Sequence, residues 1–528
     1  MFIKIIFGSV FLFLYAPAFF TVLFFSIIFV LIYLYITSEI IGKQFIVWSL
    51  VLLVTLFLAF NIYLGVKSNR DKVEFRLTVF PLQQLAGSSG QNLIASAFWA
   101  TLNQHLKLAT QKKAVIVSPE DVVKFAVFDS LAEMNYISRL NGLIKGDYAA
   151  IGNVAQDGQI FFQLINTRKK KVLFSETIQA AGDNIGTESL KIVNKILDHF
   201  RFVPHEYNKD LKFVSVESFS IFLNAMELFR KKEFKQARQM AERAIAMDSS
   251  LVENYLLVGK TWFMQAIEKR KNGKTGVEHF QNANKWLLKT ITKDPLNAEA
   301  YAFLGEYHIY RERWSLAEDA LLKAFELNPN LPRLYLSISR MHKSRFKKLG
   351  YGSEEDLFKK AIYVNPCYED AYLMLSDYYL FENNRDEAIR VLEKYLNINP
   401  NSVPALMALG KIYLVRNDIL KIIEVFNRVI KLEPNNSDAY YNLGILYYNS
   451  EDYDNSYKFL QRAIAIDNHL NSHLYLAYLY EVRGDIENAI KHLRMRIRYR
   501  KGFDDVFAEE ARKRLYDLMH PDTSKAGQ

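Results

Sequence analysis

A short signature recurs about every 34 residues between Glu217 and Arg500, and it constrains the fold of this 528-residue chain more than any other feature. The signature places Leu-Gly-x-x-Tyr in one helix-forming segment, alanines in the next and a proline after it, most completely from Ser437 to Leu470. A period of this length is typical of stacked helical pairs, which present a long surface instead of enclosing a catalytic pocket. We therefore expect over half of the chain to form an all-helical array.

The repeats align on a small residue in the first helix, where a larger side chain would push apart two helices that must touch. Eight units result, over residues 218–500. Their small residues are Ala225, Gly259, Gly305, Ser339, Ser376, Gly410, Gly444 and Ala477. Prolines that stop the second helix, because proline lacks the N–H donor, are Pro295, Pro329, Pro366, Pro400 and Pro434.

Two units are longer than the others, and both extra segments fall between the first and second helix. They lie near Glu268–Val277 and near Lys347–Gly352. Insertions at such positions usually form loops on one face of a repeat array, and we expect loops here.

The repeat residues resemble the tetratricopeptide repeat (TPR) family, and the resemblance covers more than half of the chain. It implies an all-α solenoid that binds protein or peptide partners through a concave surface formed by positions 5, 9 and 12 of each first helix. Packing between helices is the alternative role for each residue there. The candidate contacts are Phe222, Met226, Phe229, Lys260, Phe263, Arg340, Lys343, Leu380, Lys411, Tyr441, Tyr448 and Tyr478.

Two apolar segments near the N-terminus, 5–36 and 45–66, contain no charged residue. At 1.5 Å per helical residue either could cross a hydrocarbon core of ~30 Å. The sequence therefore predicts a transmembrane hairpin in residues 1–70 and an integral membrane protein of the bacterial inner membrane. Flanking lysines and arginines favour cytoplasmic soluble domains, with the periplasm as the alternative.

Residues 71–204 change from helical to mixed periodicity and predict an α+β domain. Tyr148–Val154 and Gln159–Asn166 are strand-like and are joined through Asp157-Gly158, a strong hairpin signal. Further strands are expected over Val73–Leu82, Ala114–Ser118 and Val172–Ile178, and helices over Gln91–Leu108, Glu120–Leu143 and Asn184–Phe200. A linker, 205–217, leads to the repeats, and a capping helix with a tail occupies 501–528.

The motifs Leu77-Thr78-Val79-Phe80-Pro81-Leu82 and Ile151-Gly152-Asn153-Val154, with Leu173-Phe174-Ser175-Glu176, resemble the TolB amino-terminal-like domain. Phe174 stands where that family usually has tryptophan. The resemblance implies a domain seen ahead of TPR arrays in bacterial adenylate cyclases and membrane-bound transcription regulators. We expect neither enzymatic output nor DNA binding to transfer, because only residues 1–4 precede the first apolar segment.

Apparent chemical motifs fail on inspection, so we expect no enzyme, cofactor or metal site. Gly259-Lys260-Thr261 resembles the end of a phosphate-binding loop but lies in a predicted helix. His469 and His473 have zinc-protease spacing, but Leu470 replaces the required glutamate. The single Cys367 excludes an intrachain disulfide.

The net charge of +10 arises from local clusters and does not by itself indicate nucleic-acid binding, which we consider unlikely. The basic stretch from Lys491 to Lys501 favours a solvated helix end, with anionic lipid or an acidic protein as alternatives. The sequence thus predicts a membrane-anchored TPR scaffold for protein or peptide partners. The alternative is a sensor module that regulates a separate signalling partner. The partner and the oligomeric state are not predicted.

Overall fold

The computed structural model describes residues 75–80, 83–84, 98, 101–103, 105–106, 109–110, 114–117, 137, 141–142, 146–155, 159–179, 184–202, 216–271, 275–499 and 505–520. Within them the chain is mostly helical, with one small sheet. The predicted segments 5–36 and 45–66, most of the predicted linker and the tail after residue 520 lie outside the described residues.

The membrane part of the predicted fold class is corrected. Among the residues that the structure describes, no helix combines the length and the apolar character that crossing a membrane requires. This finding counts against the two predicted N-terminal transmembrane helices and against the predicted localisation as an integral membrane protein, and neither prediction is carried further.

The sheet has six strands in the order β3-β1-β4-β5-β6, and the short β2 pairs with β4. The strands are β1 (Phe75–Val79), β2 (Gln83–Gln84), β3 (Ala114–Val117), β4 (Tyr148–Val154), β5 (Ile160–Asn166) and β6 (Lys171–Ile178). The predicted hairpin is present, since β4 and β5 pair antiparallel from Tyr148–Asn166 to Val154–Ile160. In contrast, β1 pairs parallel with both β3 and β4.

A buried amide, Asn141, joins three parts of this sheet domain. Its Nδ2 donates to Thr167 Oγ1 at 2.7 Å and to the Tyr148 carbonyl at 3.3 Å, and Thr78 Oγ1 donates to its Oδ1. A Cβ at Gly146 would collide with this amide, so only glycine fits there. Helix α1 (Ile185–His199) covers the sheet with Val193 and Ile196.

Eight helical pairs follow within residues 216–499, and successive pairs pack side by side. The first helices are α2 (Val216–Arg230), α4 (Val252–Lys271), α6 (Ala298–Tyr310), α8 (Pro332–Ser339), α11 (Glu369–Phe381), α13 (Val403–Arg416), α15 (Ser437–Asn449) and α17 (Leu470–Val482). The second helices are α3 (Phe234–Met247), α5 (Val277–Lys293), α7 (Trp314–Leu327), α10 (Glu354–Val364), α12 (Arg385–Ile398), α14 (Ile419–Leu432), α16 (Tyr453–Asp467) and α18 (Ile486–Arg498). A short helix, α9 (Lys343–Lys348), lies between α8 and α10.

Polar caps and small residues explain why these segments form tight pairs. Asn436 and Asp452 each accept a backbone N–H at a helix start, satisfying donors that would otherwise lack a partner. A methyl group at Gly410 would lie 2.6 Å from Cζ of Phe426, and one at Gly444 would lie 2.6 Å from Cδ2 of Leu460. The small positions therefore let the two helices of a pair approach closely.

Helix α4 extends into the predicted insertion of the second repeat as far as Lys271, residues 275–276 are not helical, and residues 272–274 lie outside the described residues. Helix α4 has 20 residues where α6 has 13. The seven additional residues extend the helix by about 10 Å. In the fourth repeat, α8 has only 8 residues and α9 occupies part of the predicted insertion.

The last helix, α19 (Val506–Met519), packs on α17 and α18 at the predicted capping position. Its N-cap residue Asp505 forms an ion pair with Arg496, with 2.5 Å between Asp505 Oδ1 and Arg496 Nη2. The Arg496 side chain is only 2% exposed. The basic stretch that we expected to be solvated thus contributes a buried cation to the cap.

The sheet domain contacts the repeat array at several points. Phe222 and Leu251, from the first repeat and the turn that follows it, pack against the core of the sheet domain. Asn330, just before α8, donates its Nδ2 to the Ala114 carbonyl at 3.1 Å. The Arg76 guanidinium lies 4.1 Å from the ring centroid of Tyr363, at the end of α10. The sheet domain therefore reaches from the first repeat to the fourth.

Candidate partner-binding face

Successive first helices contact one another through all eight repeats. We call the surface formed by their positions 5, 9 and 12 the A-helix face, to which repeat phase assigns the twelve sequence-predicted contact residues. The structure places these residues in three different environments along the array.

At the first repeat, the predicted contacts serve internal packing. Phe222 touches the core of the sheet domain and also the core of the first two repeats. Met226 and Phe229 are half-buried and pack against the same repeat core. Phe229 also meets Phe234 edge-on, with ring centroids 5.5 Å apart. This end of the face is largely occupied by the protein itself.

In the second repeat, the predicted residues are again used internally, partly against side chains of the third repeat. Phe263 is fully buried and packs edge-on against Phe280 and Phe303. Lys260 forms an ion pair with Glu299, and its Nζ lies 5.3 Å from the Phe303 ring centroid.

The third and fourth repeats share a buried polar network that the sequence did not indicate. Glu306 is buried, at 3% exposure. It accepts a hydrogen bond from Ser337 Oγ at 2.6 Å and forms an ion pair with Arg333 at 2.7 Å. Its partners come from the next repeat, so the network fixes how the two repeats are stacked.

The central repeats leave predicted residues accessible. Arg340 and Lys411 are exposed, and Leu380 is half-buried. Neither cation forms an ion pair with any residue that the structure describes. Partial burial raises the pKa of Asp377, an effect that neighbouring Lys411 opposes. Lys343 is the first residue of α9.

The seventh and eighth repeats form a tyrosine cluster. Tyr475 lies 5.8 Å from Tyr441 and 5.5 Å from Tyr448 between ring centroids, and Tyr448 lies 6.2 Å from Tyr478. Tyr441 is 9% exposed, whereas Tyr448 and Tyr478 are half-buried. Burial raises the pKa of all three, so these phenols stay neutral. Tyr478 donates to Glu510 of α19 at 3.3 Å, and Tyr448 also lies 5.9 Å from Tyr453 between ring centroids.

The two histidines with zinc-protease spacing point to different partners. His469 pairs with Asp438 at 3.1 Å, and the Nδ1 of His473 lies 2.8 Å from the Nδ1 of His492. Among the described residues, no group of three or more histidine, cysteine, aspartate or glutamate residues could hold a metal ion. Gly259-Lys260-Thr261 lies inside α4, where Thr261 Oγ1 donates to the Val258 carbonyl.

The His473 pair predicts acid sensitivity of the last repeat. Burial, with smaller contributions from His492, His469 and Arg496, lowers the pKa of His473 from 6.5 to about 4. Burial also lowers the pKa of His492. Between about pH 6.5 and 4, His473 binds a proton more readily in the unfolded chain than in the folded one. The contribution of neutral His473 to the free energy of unfolding is therefore complete above about pH 6.5 and is lost as the pH falls towards 4.

We expect hydrogen exchange in residues 470–498 to accelerate between about pH 6.5 and 4.5, after correction for the intrinsic pH dependence of exchange. His473→Gln should reduce this acceleration, and the exposed His520→Gln should not. An equal response in both variants would show that His473 is not responsible.

Two segments match tetratricopeptide repeat families, at residues 369–412 and 425–456. The chain therefore contains tetratricopeptide repeats, and proteins built from them generally act as protein-interaction scaffolds without catalysis. Both matches lie within the helical pairs, so the TolB-like resemblance of the sheet domain is not confirmed.

Several solved structures resemble the chain. MamA protein is 21% identical over 32% of this chain and 90% of its own, with a TM-score of 0.27. The APC/C hetero-tetramer Cut9-Hcn1 is 17% identical over 62% of this chain and 59% of its own, with a TM-score of 0.40. Pseudomonas aeruginosa pilF is 16% identical over 41% of this chain and 97% of its own, with a TM-score of 0.33. No curated protein matches the sequence. At these scores the likenesses carry no argument about function.

Proposed function

We propose that this chain is a scaffold that binds protein or peptide segments along the central part of its A-helix face. The observation that carries the proposal is that the burial of the predicted contacts differs along this face. Its predicted contacts pack internally at the first repeats, whereas Lys411 is exposed and Leu380 and Tyr448 are half-buried in the fifth to seventh repeats. Half-buried Met407 and Leu414 lie on the same face between them.

The chemistry of this central part favours a mixed ligand. An apolar side chain would pack against Leu380 and Met407, and the half-buried Tyr448 offers a large ring for stacking. Lys411 would pair with a carboxylate, while Asp377 nearby disfavours a uniformly acidic ligand. A peptide with apolar side chains and isolated acidic groups therefore fits best.

Removal of the anchors Lys411 and Tyr448 should weaken peptide binding. Peptides are selected from a displayed library on the purified full-length wild-type chain, and their Kd values are measured by fluorescence anisotropy. Lys411→Ala with Tyr448→Ala should raise Kd by roughly tenfold or more, because interface anchors of this kind contribute over 1 kcal/mol each. Tyr441 is left unchanged because its burial makes it a packing residue.

The matched control is Lys458→Ala with Tyr516→Ala, which removes one exposed lysine and one exposed tyrosine away from the face. Its Kd values should equal those of the wild type. Library selection without any enriched peptide, or equal binding by both double variants, would contradict the proposal.

A regulatory module is the second candidate, because Phe222 belongs to the cores of both the sheet domain and the first repeats. A ligand that altered the sheet domain would act on α2 through this side chain. Under that function, Phe222→Ala should change the Kd of the selected peptides. Phe222 is far along the chain from the anchors Lys411 and Tyr448, so such a change would be an indirect effect.

A further inference from the structure

An open cleft of about 330 Å³ lies where the first helices of the second to fourth repeats end. Arg270 comes from the end of α4, Ile309 and Tyr310 from the end of α6, and Arg340 from the end of α8. Glu312 and Trp314, at the turn into α7, complete the lining. Three consecutive repeats therefore build the cleft.

Two guanidinium groups flank one aromatic ring in the cleft. Arg270 and Arg340 each place the guanidinium carbon 5.8 Å from the ring centroid of Tyr310. Arg270 also donates from Nη1 to the Tyr310 carbonyl at 2.9 Å. The ring also packs against Phe263 and Phe280, both at 5.7 Å between centroids. Both cations therefore lie beside one packed ring.

No residue that the structure describes forms an ion pair with Arg270 or Arg340. Each guanidinium can therefore donate charge-assisted hydrogen bonds to an anion in the cleft. Glu312 is exposed at the rim and offsets one of the two positive charges, so the lining has a net formal charge of +1.

The helical insertion of the second repeat creates this arrangement. A first helix of 13 residues, as in α6, would end at residue 264, six positions before Arg270. The extension carries Arg270 to the Tyr310 ring of the next repeat. Lys269, Arg311 and Arg313, each next to a lining residue in sequence, are exposed cations as well.

We propose that this cleft binds a carboxylate-bearing segment of a protein partner, with a carboxylate between Arg270 and Arg340 and an apolar side chain against Trp314. The indole is 42% exposed, which leaves its face available for such contact. The inference deepens the proposed function, on which it rests, by naming a partner chemistry at one edge of the array.

The charge pattern favours an acidic peptide over nucleic acid. A polyanion extending from the cleft along the A-helix face would meet the exposed Asp377. A short segment whose carboxylates are confined to the cleft avoids this carboxylate. The sheet-domain contacts at Asn330 and Leu251 lie at the opposite ends of the first helices.

The test uses the full-length chain and a fluorescein-labelled peptide that repeats Glu-Glu-Leu, with a Gln-Gln-Leu peptide and an oligothymidylate of similar length as comparison probes. We expect the acidic peptide to bind most tightly, and Arg270→Gln with Arg340→Gln to raise its Kd on the order of tenfold or more. Arg243→Gln with Arg494→Gln removes two exposed arginines elsewhere and should leave Kd unchanged.

Each other outcome overturns the inference. Equal binding of the acidic and glutamine peptides excludes carboxylate recognition, and tighter binding of the oligothymidylate assigns the cleft to nucleic acid. Equal weakening by both double variants shows that net charge acts without a site. If the wild type binds no acidic peptide but still enriches library peptides that depend on Lys411 and Tyr448, this inference fails while the proposed function stands.

Trp314→Ala, which keeps both arginines, should weaken binding of the Glu-Glu-Leu peptide severalfold and checks the apolar contact independently.

Discussion

Replacing Arg496 with methionine is expected to destabilise the C-terminal end of the array by about 3–5 kcal/mol. The substitution removes the cation from a pair in which both side chains are almost completely buried, at 2% for Arg496 and 7% for Asp505. The Asp505 carboxylate would then remain in the interior without its main counter-charge. Arg496 also donates to Asn471 at 3.0 Å, so the contact between α17 and α18 weakens as well.

Hydrogen exchange in residues 506–519 measures this effect locally, which is preferable because long repeat arrays do not unfold in one cooperative step. The exposed Arg494→Met, two residues earlier on α18, is the matched control and should change stability by less than about 0.5 kcal/mol. Arg496→Met with Asp505→Asn should recover part of the loss, because asparagine keeps the N-cap of α19 and removes the buried charge. Equal protection of α19 in Arg496→Met and Arg494→Met would contradict the assigned role.

The second large effect is expected in the sixth repeat, where Phe426→Ala should cost about 3–5 kcal/mol. The Phe426 ring is fully buried and fills the space beside Gly410. Gly410→Leu should also destabilise, by about 1–3 kcal/mol, because even a methyl group there would lie 2.6 Å from the ring. Hydrogen exchange of the amides in α13 and α14 measures both changes locally.

Combining the two substitutions gives the sharper result. The leucine at position 410 enters the cavity that the alanine at position 426 leaves. The double variant should therefore lose less stability than the two single variants lose together, by about 0.5–3 kcal/mol. Phe381→Ala, which truncates a ring that is 84% exposed, should be close to neutral. Strict additivity would show that Gly410 and Phe426 do not share this space.

The periodic features of the chain could be predicted because they depend on local spacing. The small residues fall at one position of each first helix, and Gly410 and Gly444 meet large side chains there. The β4–β5 hairpin followed from its alternating pattern and its Asp157-Gly158 turn signal. These features need no knowledge of distant neighbours.

The accessible part of the A-helix face could not be predicted, because burial depends on residues distant in sequence. Phe222 is covered by a sheet domain that no repeat pattern reveals. Lys260 is neutralised by Glu299 of the following repeat, and Tyr441 is enclosed by its aromatic neighbours. Repeat phase identifies which positions point to this face, but not which remain exposed.

The cleft at Tyr310 could not be predicted from the repeat spacing, because it depends on the length of α4. The run from Val252 to Lys271 contains no proline and a single glycine, at the small position, and this signal could have indicated a longer helix. The predicted transmembrane helices rested on hydropathy alone, and the described helices give no support to a membrane-spanning fold.

The contacts of the sheet domain divide the array into a braced half and an unbraced half. Phe222 in the first repeat and Tyr363 in the fourth are held to the same sheet, so the intervening repeats cannot extend or twist without breaking those contacts. The contacts named above lie in the first four repeats, and the fifth to eighth repeats pack on their neighbouring helices. We therefore expect a bound segment to change the stacking of the fifth to eighth repeats most, where Lys411 is exposed.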